Sequence, residues 1–223
     1  PYFVGKKYET GWTWEGYSEL MAGFYRETYR LLDPGRYCVV NFGDLHNSGG
    51  RMYRAEVPSV YPAAVPHWEW GRTAGFDLQA TRIWRKQFAR VAMGFVVNSR
   101  PRNAFDLEHI WTWRKPERDG EEWCADRRLS QRGVLGDDWS SPARIDRHCA
   151  AFPVELPLWA IRVYSREKGE VVLDPFGGSL TTLVAAHRTG RQGCAIELDR
   201  RYIDVGLERL RTERKQLSLL SDV

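Results

Sequence analysis

A glycine-containing turn flanked by acidic residues lies in the last quarter of the chain. Asp174 ends a short apolar run, the turn Pro175–Thr182 follows it, and Glu197 comes 23 residues after Asp174. Glycines allow a backbone to approach a ligand closely, and an acid at about this spacing can accept hydrogen bonds from the ribose hydroxyls of a cofactor. We therefore expect a nucleoside-containing cofactor to bind at this turn.

The residues of the turn argue against a pyrophosphate group in that cofactor. The segment lacks G-x-G-x-x-G, the pattern whose backbone cradles a pyrophosphate, and the carboxylate of Asp174 would repel a phosphate. S-adenosylmethionine carries an ammonium and a sulfonium group and no phosphate, so it fits this turn better than NAD does. The alternative is an ordinary strand-to-helix turn in which Asp174 caps the helix.

Strand and helix patterns alternate around this turn. Buried strands are predicted at Tyr37–Phe42, Val171–Asp174 and Cys194–Leu198, and helices at Tyr17–Leu32, Glu155–Ser165 and Arg200–Gln216. A further helix is expected from the turn to about Thr189. A strand, a glycine turn, a helix and a second strand ended by an acid form half of a Rossmann-like site, so we expect an α/β fold.

The middle of the chain has weaker patterns. We expect a long loop over Gly43–Pro66, a helix over Asp77–Met93, a strand over Phe105–Trp113 and an irregular segment over Lys115–Ser141. The helix is predicted because Trp84, Phe88 and Val91 recur at helical spacing. Irregular segments of this length are usually functional or disordered.

Positive charge is concentrated in the centre of the chain. The segment Arg82–Arg132 carries 12 Lys and Arg against 7 Asp and Glu, a local charge of +5, whereas the whole chain of 223 residues carries +4. Trp111, Trp113 and Trp123 lie in the same segment. Arginines interleaved with aromatic residues predict a surface that faces nucleic acid, although the tryptophans fit a rigid core equally well.

The composition excludes several other classes of protein. No apolar run approaches the roughly 18 residues that a transmembrane helix needs, and no signal peptide is visible, so we expect a cytoplasmic protein without a membrane partner. The four cysteines form no C-x-x-C pair and the five histidines are scattered, so we expect no metal site.

Three segments, in this order and spacing, resemble the permuted β class of amino DNA methyltransferases. Residues 174–182, D-P-F-G-G-S-L-T-T, are similar to the family's D-P-F-x-G-S-G-T-T motif, with Leu180 in place of its last glycine. Residues 148–157, H-C-A-A-F-P-V-E-L-P, resemble the H-x-A-x-F-P-x-E-L-P element before it, and residues 195–199, A-I-E-L-D, resemble the strand after it. Less specifically, Tyr17–Asp44 and Leu107–Lys115 resemble elements that contain v-n-x-g-d and E-h-i-l-x-x-x-K.

The resemblance covers nearly the whole chain and has consequences for fold and activity. It implies a Rossmann-like, S-adenosylmethionine-dependent methyltransferase fold with a circularly permuted motif order. It implies a single methyltransferase domain over residues 1–223, in which residues from about 45 to 147 form a variable target-recognition segment that faces DNA. The implied reaction is methyl transfer from S-adenosylmethionine to an exocyclic amine of a flipped DNA base.

The start of the chain resembles the end of the family's catalytic motif, D/S/N-P-P-Y/F/W. Pro1 and Tyr2 match its last two positions, and Tyr2 is expected to stack on the flipped base. The first two positions and the preceding strand are not in the sequence, so we expect a truncated chain. The continuation P-Y-F-V-G-K-K-Y resembles enzymes with S-P-P-Y, which favours cytosine N4 over adenine N6.

The resemblance also assigns residues to the cofactor. Glu197 is expected to accept both ribose hydroxyls, and Asp174 and the backbone of Phe176–Gly178 are expected to surround the amino-acid end. The full predicted set, including two residues beside the pocket, is Asp174, Pro175, Phe176, Gly177, Gly178, Ser179, Thr181, Glu197, Phe152 and Pro153.

Double-stranded DNA is the expected partner, in a prokaryotic or phage-encoded system. A homodimer and a cognate restriction endonuclease are open alternatives. A catalytically inactive DNA-binding subunit and a methyltransferase of RNA or small molecules are the rival functions, although a small substrate would not need the segment rich in Arg and Trp.

Arg127 and Arg128 are the predicted DNA contacts, because adjacent arginines in a polar segment have no obvious packing role. If they contact phosphates, the double alanine variant should weaken binding to all sequences alike and flatten the salt dependence, by about 0.9 in slope for each lost contact. If one of them binds a base edge, its loss should cost about 1–3 kcal/mol at one position of the site. Binding titrations at several salt concentrations measure both, and an unchanged affinity and slope would contradict the assignment.

Overall fold

The computed structural model describes residues 11–46, 60–86, 107–116, 130–136, 139, 152–166 and 168–221. The described residues form two compact units. The first contains those of 1–122 and 132–138, and the second those of 123–131 and 139–223. In the described part of the chain, none of the helices has the length and hydropathy of a membrane span.

The first unit combines two helices with a four-stranded sheet. Its elements are α1 (Trp14–Leu31), β1 (Tyr37–Phe42), β2 (Leu45–His46), β3 (Val60–Tyr61), α2 (Ala64–Ala74), β4 (Asp77–Arg85), β5 (Leu107–Arg114) and β6 (Val134–Leu135). The strand order is β1-β5-β4-β6, with β5 antiparallel to both neighbours and β6 parallel to β4. The short strands β2 and β3 pair separately.

Helix α1 confirms the predicted amphipathic helix and begins three residues earlier than expected. The Thr13 side chain caps it by accepting a hydrogen bond of 3.1 Å from the Gly16 amide. Tyr17, Met21 and Tyr25, four residues apart, form its buried face. At the other end, the Lys115 ammonium donates to the carbonyls of Tyr29 and Leu32 at 2.8 and 2.6 Å and satisfies groups that a helix end leaves unpaired.

Two predictions for the middle of the chain were wrong. Residues 77–85 form β4, not the start of a helix, because they pair with β5 and alternate in burial, with Arg82 and Trp84 inward. The apolar spacing that suggested a helix is compatible with either structure over so short a stretch. The long loop expected over Gly43–Pro66 contains the β2–β3 ladder and the start of α2.

An aromatic cluster forms the core of the first unit. The Tyr25 hydroxyl lies 2.8 Å from Nδ1 of His67, and the His67 ring stacks on Phe42 at 3.9 Å between centroids. Trp111 and Trp113 are buried in the same cluster. The tryptophan doublet of β5 therefore belongs to the core, which was the alternative to a nucleic-acid surface.

The polar residues of the two less specific motifs hold the first unit together. The Asn41 amide donates to the buried Glu108 carboxylate at 2.7 Å, and Lys86 forms an ion pair with the same carboxylate. The Asp44 carboxylate accepts the Ala63 amide at 3.0 Å, just before α2. These side chains link β1, β4 and β5 at one end of the sheet, because buried polar groups need partners.

The second unit contains the elements predicted for the end of the chain. They are α3 (Glu155–Tyr164), β7 (Val171–Asp174), α4 (Thr181–Arg188), β8 (Gln192–Ala195) and α5 (Arg200–Ser221). Strands β7 and β8 are parallel and joined through α4. Ile161 of α3 packs with Ala185 and Ala186 of α4 and with Val172. Strand β8 ends at Ala195, three residues before the predicted end.

The predicted burial of these two strands was wrong. Val171 is 65% exposed, Leu173 is 38% exposed and Leu198, just after β8, is 97% exposed. The helices α3 and α4 cover only the face that carries Val172. Val171 and Leu173 lie on the opposite face, and among the described residues β7 pairs with β8 and with no third strand.

The buried His67 should make the stability of the chain depend on pH. The pKa of His67 is lowered to about 3, chiefly by burial and to a smaller extent by the nearby His109. Below the ordinary pKa of about 6.5, a proton binds this imidazole in the unfolded chain but not in the folded one, so folding stability falls as the pH falls.

Between pH 7 and pH 5 this effect should lower the free energy of unfolding by about 2 kcal/mol. His67→Gln removes the titrating group and should lose that part of the pH dependence. Urea unfolding of both proteins at the two pH values measures the difference, and equal losses would contradict a neutral, buried His67.

Candidate functional site

Asp174 closes the turn between β7 and α4. One of its carboxylate oxygens accepts the Phe176 amide at 3.0 Å, and the other accepts the Thr182 hydroxyl at 2.6 Å. The two bonds connect the end of the strand to the start of the glycine turn and to the first turn of α4. Asp174 therefore contacts the start of α4 through the Thr182 hydroxyl, but it does not occupy the capping position that was its alternative role, because the N-cap residue of α4 is Leu180.

Glu197 connects the end of β8 to the same turn. Its carboxylate accepts the Gly178 amide at 2.7 Å through Oε2 and the Asp199 amide at 2.8 Å through Oε1. The backbone bond from the Gly177 amide to the Ile196 carbonyl, 2.8 Å long, supports this contact. The structure thus brings the two acids and the glycine turn together, as the sequence predicted.

A cofactor at this edge would meet acceptors and closely packed backbone. Each Glu197 oxygen keeps a second lone pair that can accept a ribose hydroxyl. Gly178 has a φ of 50°, and a Cβ on Gly177 would lie 2.9 Å from the Cβ of Ala195, so both positions suit glycine. No Lys or Arg lies between Asp174 and Thr182. This set of groups fits a cationic ligand with a ribose better than a phosphate.

Leu180 has the backbone conformation for which glycine is normally used. Its φ of 57° and ψ of 33° make it the sole non-glycine residue with positive φ in the described part of the chain. A left-handed conformation costs an L-residue with a Cβ on the order of 1–2 kcal/mol. This cost explains why the family motif has a glycine, which has no Cβ, at the position of Leu180. The Leu180 side chain is only 4% exposed and packs beside Gly206 of α5.

Asp199 lies two residues beyond Glu197 and directly precedes α5. The hydrogen bond from the Arg201 side chain lowers the pKa of Asp199, with smaller contributions from the Arg201 amide and its charge. Asp199 is therefore charged at neutral pH, and its ion pair with Arg201 neutralises part of the local negative charge.

The remaining predicted cofactor residues have different positions. Ser179 and Thr181 are buried, and both hydroxyls lie 3.1 Å from Nη1 of Arg209. Phe152 and Pro153 precede α3, which packs on α4, and their contact with a cofactor stays a prediction. Pro1, Tyr2, Arg127 and Arg128 lie outside the described residues.

Sequence reasoning missed two residues of this site. Thr182 could have been found, because it is a polar position of the motif. Arg209 could not, since α5 carries several arginines and no pattern distinguishes this one.

The DNA surface predicted over Arg82–Arg132 is wrong for part of its length. Arg82 is 7% exposed, and its Nε donates to the Arg132 carbonyl at 3.0 Å. Trp111 and Trp113 lie in the aromatic core. Arg82 points inward from β4, whereas the tryptophans belong to β5, an inner strand between β1 and β4 whose residues 110–113 are buried on both faces. Trp123 lies outside the described residues.

Comparisons with known proteins identify the family to which the chain is related. The model of a DNA methylase family matches residues 1–208. The Type II beta methyltransferase M.BslI of Bacillus sp. (strain NEB-606) is 24% identical over 243 residues, which cover 99% of this chain and 26% of that protein. The Type II methyltransferase M.BglI of Bacillus subtilis is 26% identical over 282 residues, which cover 95% of this chain and 78% of that protein.

A solved structure shows the same fold. TTHA0409 of Thermus thermophilus, in complex with S-adenosyl-L-methionine, matches with a TM-score of 0.65 and 28% identity over 96% of this chain and 83% of that one. The predicted fold class is confirmed, although two strands are less buried than expected. The chain spans only about a quarter of the length of M.BslI.

Replacement of Glu197 should weaken cofactor binding. Glu197→Ala removes the expected ribose acceptor and the partner of the Gly178 amide, and the loss of a partly buried, charge-assisted hydrogen bond of this kind costs on the order of 1–3 kcal/mol. Calorimetric titration with S-adenosylmethionine should therefore show affinity reduced about tenfold or more. Glu197→Gln, which keeps one acceptor, should lose less. Glu208→Gln, an exposed acid on α5, is the control, and an unchanged affinity of Glu197→Ala would refute the assignment.

Proposed function

The chain belongs to the N6/N4 DNA methylase family, and we propose that it transfers a methyl group from S-adenosylmethionine to an exocyclic amine of a DNA base. The observation that carries this proposal is the Glu197 carboxylate bonded to the Gly178 amide, next to Asp174 at the ends of two parallel strands. Ligands of open α/β sheets bind at the carboxyl ends of strands, which is where these groups lie.

The residues of the second unit would hold the cofactor by its two polar ends. Glu197 would accept the ribose hydroxyls, whereas Asp174 and the backbone of Phe176–Gly178 would lie around the amino-acid end. Phe152 and Pro153 would line the pocket beside them. The bound cofactor supplies an electrophilic methyl group on a sulfonium centre.

The reaction needs help because an exocyclic amine is a poor nucleophile, with its lone pair delocalised into the base. In our proposal, the carbonyl of a proline in the motif that includes Pro1 accepts a hydrogen bond from the amine, and Tyr2 stacks on the flipped base. The lone pair then faces the methyl group for in-line attack. A nitrogen–carbon bond would form, the carbon–sulfur bond would break with its electron pair left on the sulfur, which becomes a thioether, and the methylated amine would release one proton to solvent.

The proposed mechanism does not use the Cys38 thiol. Burial raises the pKa of the Cys38 thiol to about 12, so this side chain does not form a thiolate near neutral pH. A covalent intermediate through Cys38 is therefore not part of the proposal.

Double-stranded DNA is the proposed partner and cytosine N4 the proposed acceptor. The choice of cytosine is supported by the similarity of the first residues to those of enzymes with an S-P-P-Y motif. Both curated relatives are Type II methyltransferases, which supports a restriction-modification system, a cytoplasmic location and a cognate endonuclease.

Transfer of a labelled methyl group tests the proposal. The protein, as its gene encodes it, is incubated with methyl-labelled S-adenosylmethionine and plasmid DNA, and the nucleosides are then analysed by mass spectrometry. We expect N4-methylcytosine. N6-methyladenine would contradict the choice of base but not the reaction class.

Two other results would contradict the function itself. Cofactor binding without methyl transfer to DNA would indicate an inactive subunit, and transfer to RNA in preference to DNA would indicate a different substrate class. Glu197→Ala is the matched control, because it should reduce labelling through the cofactor alone.

A further inference from the structure

Leu180 needs an external support to keep its left-handed conformation. The residue lies in the middle of the cofactor turn, and its amide donates to the Gly177 carbonyl at 2.8 Å. A change in the φ of Leu180 would therefore move Gly177 and Gly178, the residues nearest Glu197. Strained residues persist only where the surrounding structure holds them.

Helix α5 provides space for the Leu180 side chain. A Cβ built on Gly206 would lie 2.7 Å from the Cβ of Leu180, a distance that real Cβ atoms essentially never show. Glycine inside a helix is destabilising relative to alanine. Gly206 therefore destabilises α5 locally, but its lack of a side chain leaves room for the side chain of Leu180.

Arg209 contacts the turn on both sides of Leu180. It follows Gly206 by three residues and so lies on the same face of α5. Its Nη1 is 2.7 Å from the Ser179 carbonyl and 3.1 Å from the hydroxyls of Ser179 and Thr181. Hydrogen bonds from a charged donor are stronger than neutral ones, so Arg209 restrains the residues that flank Leu180.

We infer that Gly206 and Arg209 are positioning residues that hold the turn in its cofactor-binding shape, an inference that rests on the proposed cofactor role of the turn. Helix α5 starts directly after Asp199, two residues beyond Glu197. Helix α5 therefore positions Glu197, which shortly precedes it in the chain, and it positions the turn through Gly206 and Arg209. Neither residue needs to touch the cofactor to affect its affinity.

Arg209→Met tests the role of the guanidinium, because it keeps the length of the side chain and removes the donors. We expect the dissociation constant for S-adenosylmethionine to rise about tenfold, while Arg209→Lys, which keeps a charged donor, recovers part of the loss. Arg211→Met, on an exposed position of the same helix, is the control and should stay within about twofold. Calorimetry is done at a temperature at which circular dichroism shows all variants to be folded.

Steady-state kinetics separate positioning from a general loss of structure. In Arg209→Met, the KM for S-adenosylmethionine should rise, while kcat at saturating cofactor and the KM for DNA stay as in the wild type. A fall of kcat in Arg209→Met without a change in the KM for S-adenosylmethionine would contradict the inference.

A complementary pair of substitutions tests the fit between Gly206 and Leu180. Gly206→Ala should displace Leu180 and weaken cofactor binding about tenfold. Adding Leu180→Gly removes the overlap and the strain, so the double variant should bind more tightly than Gly206→Ala alone. If Gly206→Ala binds like the wild type, or the double variant binds no better, the inference is wrong.

The outcomes distinguish this inference from the proposed function. A wild-type protein that does not bind S-adenosylmethionine would contradict the proposed function. A wild-type protein that binds, with Arg209→Met and Arg211→Met indistinguishable from it, would contradict only the positioning role.

Discussion

The hydrogen bond from the Gly178 amide to the Glu197 carboxylate joins the two halves of the candidate cofactor site. Glu197 follows β8 and Gly178 follows β7, so the two loops are separated along the chain by α4 and β8. The bond of 2.7 Å fixes the distance between them. A carboxylate that accepts backbone amides is a strong, charge-assisted partner. The bonds of Asp174 to Phe176 and Thr182 complete the frame.

The turn contains one residue with a strained backbone, and contacts elsewhere in the second unit offset the free-energy cost of that strain. Leu180 adopts a conformation that disfavours any residue with a Cβ, and it does so where the backbone must turn into α4. Burial of its side chain and the contacts of Arg209 with the neighbouring residues stabilise the turn. A leucine can replace the usual glycine because α5 presents a glycine, Gly206, at the point of contact.

The first unit depends on a different principle, the pairing of buried polar groups inside an aromatic core. His67 stays neutral because it is desolvated, and it pairs with the Tyr25 hydroxyl. Glu108 is buried and has both Asn41 and Lys86 as partners. Several polar positions that resemble family motifs therefore have structural roles in this chain.

The sequence alone was sufficient for the parts that depend on local chemistry. The strand Val171–Asp174, the glycine turn and the acid Glu197 follow from short-range pattern and motif, and the predicted helix of α1 follows from apolar spacing. Likewise, the cationic character of the expected cofactor followed from the acids of the turn. Each of these features is encoded in a short stretch of the chain.

Tertiary structure decided everything that depends on which distant residues meet. Residues 77–85 became a strand because β5 pairs with them. Trp111 and Trp113 are in the core because β5 is an inner strand, paired with β1 and β4, and is buried on both faces at residues 110–113. Val171 and Leu173 are exposed because α3 and α4 cover only one face of a two-stranded ladder. Arg209 became part of the site because α5 packs against a turn 30 residues earlier in the chain. No local pattern contains such information, since long-range contacts depend on the packing of whole elements.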